Sequence, residues 1–418
     1  LIFFFFMLLH QSDRLLIGPL TIDIIDEFQI TKAQMGAVFT GALLVGAFAF
    51  PLWGYLYDRF SRAKLLSLAS FLWGTTTWIS AIAPTYGLFV ASRSSTGIDD
   101  SSYPGIYSLL SDYFNPKVRG RIYGLLQLSH PLGYLMGMLL ALFLGGAIGW
   151  RSVFILTGGL GILLAVVIFF GVKEAPRGNS EPELAGIEQI TTYRFDWKIA
   201  RDLFKKPTLL LLFTQGFFGV FPWNVITYWF FAYLEQERGY TDDMIMITMV
   251  PAVLALAAGY PLGGVVGDFL FKRTSRGRVI VSSVGVITGA ILLMITMNIP
   301  PEEHSRFLGM LMVTAIFIPL AAANVLSTIF DITLPEVRST AHATLAFIES
   351  MGAALAPLIA GIIADRYSLH DAIVILCVSA WAICFVFFIF TAIVVPKDIA
   401  VLRDQMHQRA IHERSKIG

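Results

Sequence analysis

Charge is what this sequence has least of. Only 14% of its 418 residues are Asp, Glu, Lys or Arg, against 56% hydrophobic, which leaves too little polar surface to coat a soluble fold of this size. The formal net charge is +1, and no basic block or basic–aromatic patch stands out. Nucleic acid is therefore excluded as a partner. Cysteine is almost absent. Cys377 and Cys384 lie seven apart in one apolar run, so there is no disulfide framework, and two small core hydrophobes on one helix face account for them better than a metal or redox pair. The sequence also has no His-Glu-x-x-His, no Gly-x-Ser-x-Gly and no Walker-type Gly-Lys-Ser/Thr. Those absences speak against an intramembrane enzyme and against ATP as the driving force. Neither a metal nor a cofactor is expected.

What is present is apolar sequence in long runs. A bilayer crossing needs about 20 mostly apolar residues. On that basis twelve spans lie near 1–25, 33–57, 64–83, 87–113, 119–146, 150–172, 208–235, 243–270, 278–298, 305–331, 338–364 and 370–395. The reading is an all-α, polytopic membrane protein with two six-helix bundles, 1–172 and 207–395. A polar linker, 173–206, joins them, and a charged tail, 396–418, follows. Leu1–Leu9 resembles the apolar core of a signal peptide, but the pattern resumes beyond Asp13-Arg14 and reaches Ile25, too long for that reading. The chain opens without Met inside an apolar stretch, so residues before Leu1 are expected.

Two polar junctions occur twice, half a chain apart. Gly54-Tyr55-Leu56-Tyr57-Asp58-Arg59-Phe60-Ser61-Arg62 returns as Gly264-Val265-Val266-Gly267-Asp268, followed by Lys272, Arg273 and Arg276. The stretch from Asp112 through Pro116 and Val118 to Arg119 returns from Asp331 through Pro335 and Val337 to Arg338, with the spacing kept. Such duplication marks a transporter built from parallel repeats. With both termini inside, the inner loops and tail hold 23 of the 30 Lys and Arg residues, and Lys32, Arg151, Arg238, Arg306 and Arg366 are the only ones outside. The positive-inside rule therefore puts both termini, and every copy of the motifs, on the cytoplasmic side of a cell membrane. There Asp58 and Asp268 can complement neighbouring helix N-termini, and Arg59 and Arg62 can clamp carboxylates. Gly54 would let helices approach closely. Gly54, Asp58, Arg59, Arg62, Asp112, Arg119, Asp268, Asp331 and Arg338 are thus read as a cytoplasmic gate. The alternative is ordinary loop charge.

The Gly-x-x-x-Asp-Arg junction, its second-half echo and the twelve spans resemble the major facilitator superfamily over essentially the whole chain. That resemblance implies two pseudo-symmetric six-helix bundles that alternate access to a site on the axis between them.

Ionisable residues inside the spans carry the rest of the reading. Asp13 and Arg14 lie in span 1, Arg93, Asp99 and Asp100 in span 4, His130 in span 5 and Glu349 in span 11. An ionised group in hydrocarbon costs about 3 kcal/mol or more, so these should face a wet cavity or one another. Asp13, Arg14, Asp99, Asp100 and Glu349 are read as a proton switch whose balance shifts when the cavity is occluded. The alternative is a static ion pair that fixes helix packing. Arg93 near a helix end could also snorkel, and His130 beside Pro131 could be a core histidine. Span 7 holds several Gly and Pro222 at mid-span, which predicts a kink. The substrate cavity is assigned to Arg14, Arg93, His130, Phe221, Trp223, Asn224, Tyr228 and Asn324.

Within the superfamily, Asp13-Arg14, the Lys173-Glu174-Ala175-Pro176-Arg177-Gly178 run and Gln215-Gly216, Gly219 and Pro222-Trp223 are similar to the Spinster-type lysolipid and sphingolipid transporters. By that resemblance Asp13 and Asp99 would be proton-linked, and Arg14 would answer the substrate headgroup or the carboxylates. His10, where that family usually has asparagine, and the Asp99-Asp100 pair are departures. A second resemblance, to proton-coupled organic-anion symporters, rests on Asp13-Arg14 and on Asp99 followed by Pro104-Gly105. Drug–proton antiport ranks third, because span 5 has Ser129-His130-Pro131-Leu132-Gly133 rather than a Gly-Pro signature. The expected partners are a small amphiphilic or organic-anion substrate, protons and membrane lipids, with the chain acting as a monomer.

Overall fold

The computed structural model describes residues 1–114, 126, 128–175, 205–333 and 338–417. Among them every regular element is a helix. In chain order these are α1 (Ile2–Leu15), α2 (Thr21–Phe28), α3 (Lys32–Arg59), α4 (Arg62–Ala81), α5 (Tyr86–Asp100), α6 (Pro104–Tyr113), α7 (Ser129–Leu140, continued by a π-turn to Ile148), α8 (Trp150–Gly171), α9 (Pro207–Gly219), α10 (Phe221–Gln236), α11 (Asp242–Phe271), α12 (Gly277–Met297), α13 (His304–Phe317), α14 (Leu320–Ile332), α15 (Arg338–Arg366) and α16 (Leu369–Ile417). The all-α membrane fold read from the sequence is the fold observed.

Nine helical stretches among the described residues are long and apolar enough to cross a membrane. They correspond to predicted spans 2 and 5 to 12. Spans 1 and 4 fall short because each is broken into two shorter helices, and span 3, α4, because it is rich in Ser and Thr for its length. Span 1 divides into α1 and α2 around Gly18-Pro19. Span 4, expected as one helix over 87–113, is two. Pro104 has no N–H to continue the ladder and opens α6 instead. Ser101 turns its hydroxyl back to the Gly97 and Ile98 carbonyls, at 3.1 and 2.9 Å, and ends α5. That break leaves Asp99 and Asp100 on the last turn of α5. The kink expected in span 7 is a helix break at Val220, between α9 and α10.

Contacts divide the chain into two units. The first takes the described part of 1–193 with Asn224–Met246 and Ala354–Ala372. In it α4 lies closely along α8, because glycines remove the side chains that would keep them apart. A Cβ on Gly74 would stand 2.5 Å from the Gly158 carbonyl oxygen. The hydroxyls of Ser67 and Ser70 donate across the same seam to Ala165 and Gly161, at 2.7 and 2.8 Å. Helix α1 packs on α7 and α8, and hardly at all on α5. An aromatic and aliphatic cluster that includes Phe6, Trp53, Tyr57, Trp73 and Ile106 fills the end of this unit nearest α6.

The second unit takes the described part of 194–223, Ile247–Ala353 and Ile373–Gly418. Here α12 packs on α13 and α14, and Thr296 and Thr314 share a hydrogen bond of 2.9 Å between α12 and α13. Cys377 and Cys384 are both buried free thiols on α16, consistent with their reading as small core residues.

Candidate functional site

The intramembrane charges of the first unit converge. Three of them, Asp13, Arg14 and His10, stand on consecutive turns of α1, and Arg93, Asp99 and Asp100 share α5. The pairing is crossed. Asp13 faces Arg93 at 3.8 Å, and Arg14 faces Asp100 at 3.8 Å. His10 Nε2 lies 3.0 Å from Asp99 Oδ2 and 3.4 Å from Asp100 Oδ1. Asp13 and Asp99 are only 2% and 1% exposed, so both are withdrawn from bulk water and must be answered locally.

Each acid is answered differently. Asp13 accepts from Thr157 Oγ1 at 2.5 Å and Thr77 Oγ1 at 3.1 Å, from α8 and α4. Its partner Arg93 is buried and lies over the Phe154 ring at 5.2 Å, which rules out the snorkelling reading. Asp99 accepts only at Oδ2, and its Oδ1 is buried with no hydrogen-bond partner among the described residues. The His10 ring is clamped, stacked on Phe6 at 5.5 Å and edge-on to Trp73 at 5.3 Å. The His10, Asp99 and Asp100 ligand atoms lie within 4.8 Å of one another. Arg14 stands at the Asp100 corner of that group. Arg14 is the accessible charge of the group, its side chain about one-third exposed at 32%, and it interacts with Tyr228 and Tyr103. His130, on the first turn of α7, is close enough to feel Arg14 and His10.

The remaining cavity candidates fall elsewhere. Tyr228 is buried and stacks on Phe39 at 4.3 Å, and Asn224 is buried in the same unit. In the second unit Phe221 packs on Phe217 and Phe218 at 5.7 and 5.9 Å, whereas Trp223 is exposed. Asn324 is buried and donates to the Gly263 and Leu320 carbonyls, both at 2.9 Å, a contact that ties α14 to α11. Glu349 is partly buried on α15 beside Gly216 and has no charged partner among the described residues.

Of the gate candidates, Arg62 and Asp112 meet in the first unit, and Asp268 and Asp331 meet one arginine in the second. Arg62, the first residue of α4, reaches Asp112 Oδ2 at 2.5 Å, Glu174 Oε1 at 2.8 Å and the Ala175 carbonyl at 2.9 Å. Glu174 also accepts from the Ala63 N–H and Ser61 hydroxyl, both at 2.9 Å, and so caps α4. Burial alone would raise the Glu174 carboxyl, but these bonds and the Arg62 charge outweigh it and hold it below its ordinary value of 4.5. In the second unit Arg278 bridges Asp268, at 2.7 Å, and Asp331. Sequence reasoning named both acids but missed the arginine, because it counted from Asp268 rather than from the start of the next helix. Arg278 is the second residue of α12 as Arg62 is the first of α4. Arg59 instead lies over its own neighbour Tyr55 at 4.4 Å. The close helix approach expected at Gly54 is not made: among the described residues nothing comes within 4 Å of a Cβ placed there. Arg119 and the side chains of Asp58 and Arg338 lie outside the described residues.

A third contact set lies at the opposite end of α3. Thr31 and Gln34 form a capping box there. Asp365, from the last turn of α15, accepts from the Lys32 and Ala33 N–H groups at 2.8 and 2.7 Å. Nearby, Trp229 Nε1 and Thr40 Oγ1 donate to the Pro357 and Ala354 carbonyls at 3.0 and 2.5 Å. A Cβ on Gly36 would stand 2.6 Å from the Pro357 oxygen. These contacts hold segments of α10 and α15 against α3 inside the first unit.

The first unit thus holds a buried polar seam between α1 and α5, and each unit has an Arg–Asp contact at the start of a helix. The family model described as Major Facilitator Superfamily matches residues 2–357. The chain belongs to the major facilitator superfamily. It is 28% identical over 382 residues to "Protein spinster" of Drosophila melanogaster, with 88% of this chain and 61% of that one covered. It is 24% identical to "Sphingosine-1-phosphate transporter SPNS2" of Danio rerio, over 85% of this chain and 74% of that one. It is also 26% identical to "Hexuronate transporter" of Bacillus subtilis, over 72% and 69%. The chain thus spans about three-fifths of the fly protein's length. Among solved structures, "A Bacterial Homolog to Human Lysosomal Transporter, Spinster, in Inward-facing And Unoccupied Conformation" aligns with a TM-score of 0.83 and 19% identity, over 95% of this chain and 97% of that one. That likeness concerns the fold. This superfamily member is therefore a multi-pass membrane protein similar to Spinster proteins, the resemblance that Asp13-Arg14, the run from Lys173 and the span 7 residues carry in the sequence.

Proposed function

We propose that the chain is a proton-coupled transporter that moves an amphiphilic, lipid-like substrate across a cell membrane by alternating access. The moving bodies would be the six-helix bundles of 1–172 and 207–395, with 173–206 as the cytoplasmic linker and 396–418 as the cytoplasmic tail. The observation that carries the reading is the buried seam of Asp13, Arg93, Asp99, His10, Asp100 and Arg14 between α1 and α5. With His10 neutral this group has three acids and two guanidinium groups, one negative charge in excess. In a low dielectric such an excess invites a proton. Arg14, the partly exposed cation, would receive an anionic headgroup, and Tyr228, Phe221 and Trp223 would meet apolar parts.

Positive-inside orientation would put the Asp365 cap, at the start of α3, on the extracytoplasmic side and Gly54, near its end, on the cytoplasmic side.

A second reading, organic-anion symport, is favoured by the similarity to a hexuronate transporter and by the same Arg14. A ligand-stabilisation screen on the purified chain separates the two. Lysophospholipids or sphingoid phosphates should raise the melting temperature by several degrees, hexuronates should not, and Arg14→Ala should erase the shift. Stabilisation by hexuronate alone would replace the lipid reading with the anion one.

A further inference from the structure

We infer that His10 is the proton-carrying group of the α1–α5 seam, with Asp99 and Asp100 as the two carboxylates that share its proton. The inference rests on the proton-coupled reading above and assigns the coupling to a residue outside the Asp and Glu set.

The geometry supplies three arguments. First, His10 is the only group of α1 that touches both acids at the end of α5: its Nε2 is 3.0 Å from Asp99 and 3.4 Å from Asp100. A neutral imidazole presents a single N–H or a lone pair at that nitrogen, whereas the imidazolium donates there in either case. Two adjacent carboxylates on one imidazole therefore favour the protonated ring. Second, among the described residues the charge count closes with one proton on the His10–Asp99 pair. Arg93 is engaged with Asp13 and Arg14 with Asp100. Asp99 is left with a buried, unpartnered Oδ1 and no guanidinium within ion-pair distance. Its counter-charge must come from His10 or from a proton of its own.

Third, the contact joins helices that hardly pack. Helix α1 lies against α7 and α8, and only side chains span to α5. A proton on His10 then ties α1 to α5, and its loss sets two carboxylates against a neutral ring and loosens the tie. Binding of a proton thus acts on the distance between α1 and α5, and a proton-dependent change of helix separation is what coupling requires. The groups acting on His10 are Asp13 on its own helix, Asp99 and Asp100 on α5 and His130 on α7, and beyond Asp100 stand Arg14 on α1 and Tyr228 on α10. Phe6 and Trp73 hold the ring in place without titrating. Imidazole ordinarily titrates near pH 6.5, in the range a proton gradient spans. Since the proton is shared, the measured midpoint belongs to the His10–Asp99 pair.

The test compares the wild-type chain with His10→Asn and His10→Gln in proteoliposomes, using a short-chain fluorescent lysophospholipid as substrate. Gradient-driven transport and substrate exchange at equal pH are both read from pH 5 to 8. Expected are a monodisperse carrier with cooperative thermal unfolding, which shows that the variants fold, and a gradient-driven rate, relative to exchange in the same variant, at least tenfold lower than in wild type and without the wild-type pH step. Superimposable pH profiles in wild type and both variants overturn the inference while leaving proton coupling intact. Wild-type transport indifferent to the gradient overturns the coupling reading itself. Should the variants not fold, nitrogen-15 NMR of the intact chain with the other histidines replaced decides. A His10 ring that changes protonation within that range supports the assignment, and a ring neutral throughout overturns it.

Discussion

Asp13 and Arg93 form the most deeply buried ion pair of the seam. Both are almost fully buried, and Asp13 collects two threonine hydroxyls as well as the guanidinium. Removing its charge leaves Arg93 uncompensated in a dry environment, which costs far more than the pair contributes when intact. Asp13→Asn should therefore lower stability by about 3 kcal/mol, while Asp13→Asn with Arg93→Gln should recover much of that loss. Thermal unfolding in detergent checks it. An additive double mutant would make the contact incidental. Spacing in the sequence brought these residues together as a cluster, since Arg93 and Asp100 are two helical turns apart on one face. It did not show that the pairs cross, because partner choice depends on the rotation of α1 against α5, which neither helix encodes alone. His10 had no signal beyond its departure from a resembling family, since its meaning comes from two acids 89 and 90 positions away.

At the scale of elements, the helix breaks and caps do the positioning. The Ser101–Pro104 break puts Asp99 and Asp100 at a helix end, and the Gly and Pro content that forces such breaks is plain in the sequence. Where one polar residue meets an element far along the chain is not plain. The Arg62 latch is legible in part: its motif is duplicated, but Glu174 enters from beyond α8 and Arg278 occupies a different offset from its motif. The Glu174 cap gives this latch a pH dependence. The carboxyl is held below its ordinary 4.5, so its stabilising effect is complete above that value and is lost as pH falls through the lower, folded-state value. Wild type should therefore exceed Glu174→Gln in melting temperature at pH 7, with the difference shrinking as the pH is taken below about 4.5. A difference that stays constant with pH would mean that the Glu174 charge does not support the latch. Asp365 plays the equivalent capping part at the other end of α3, through two backbone N–H groups.

For the molecule as a whole, the apolar runs and the duplicated junctions carried the fold to the superfamily level, and the family match over residues 2–357 bears that out. The halves share their latches, Arg62 with Asp112 and Arg278 with Asp331, but not their intramembrane charges. The crossed pairs and the His10 contact are all in the first unit, and of the intramembrane acids named from the sequence only Glu349 stands in the second. That asymmetry is the basis of the central claim, that proton movement accompanies substrate movement and passes through the α1–α5 seam. The most direct measurement is proton flux on substrate addition, read with a trapped pH indicator in proteoliposomes that contain the full chain. The account predicts a substrate-dependent pH change in wild type and at least a tenfold smaller one in Asp99→Asn. Substrate transport that proceeds with no proton movement in either protein would contradict it.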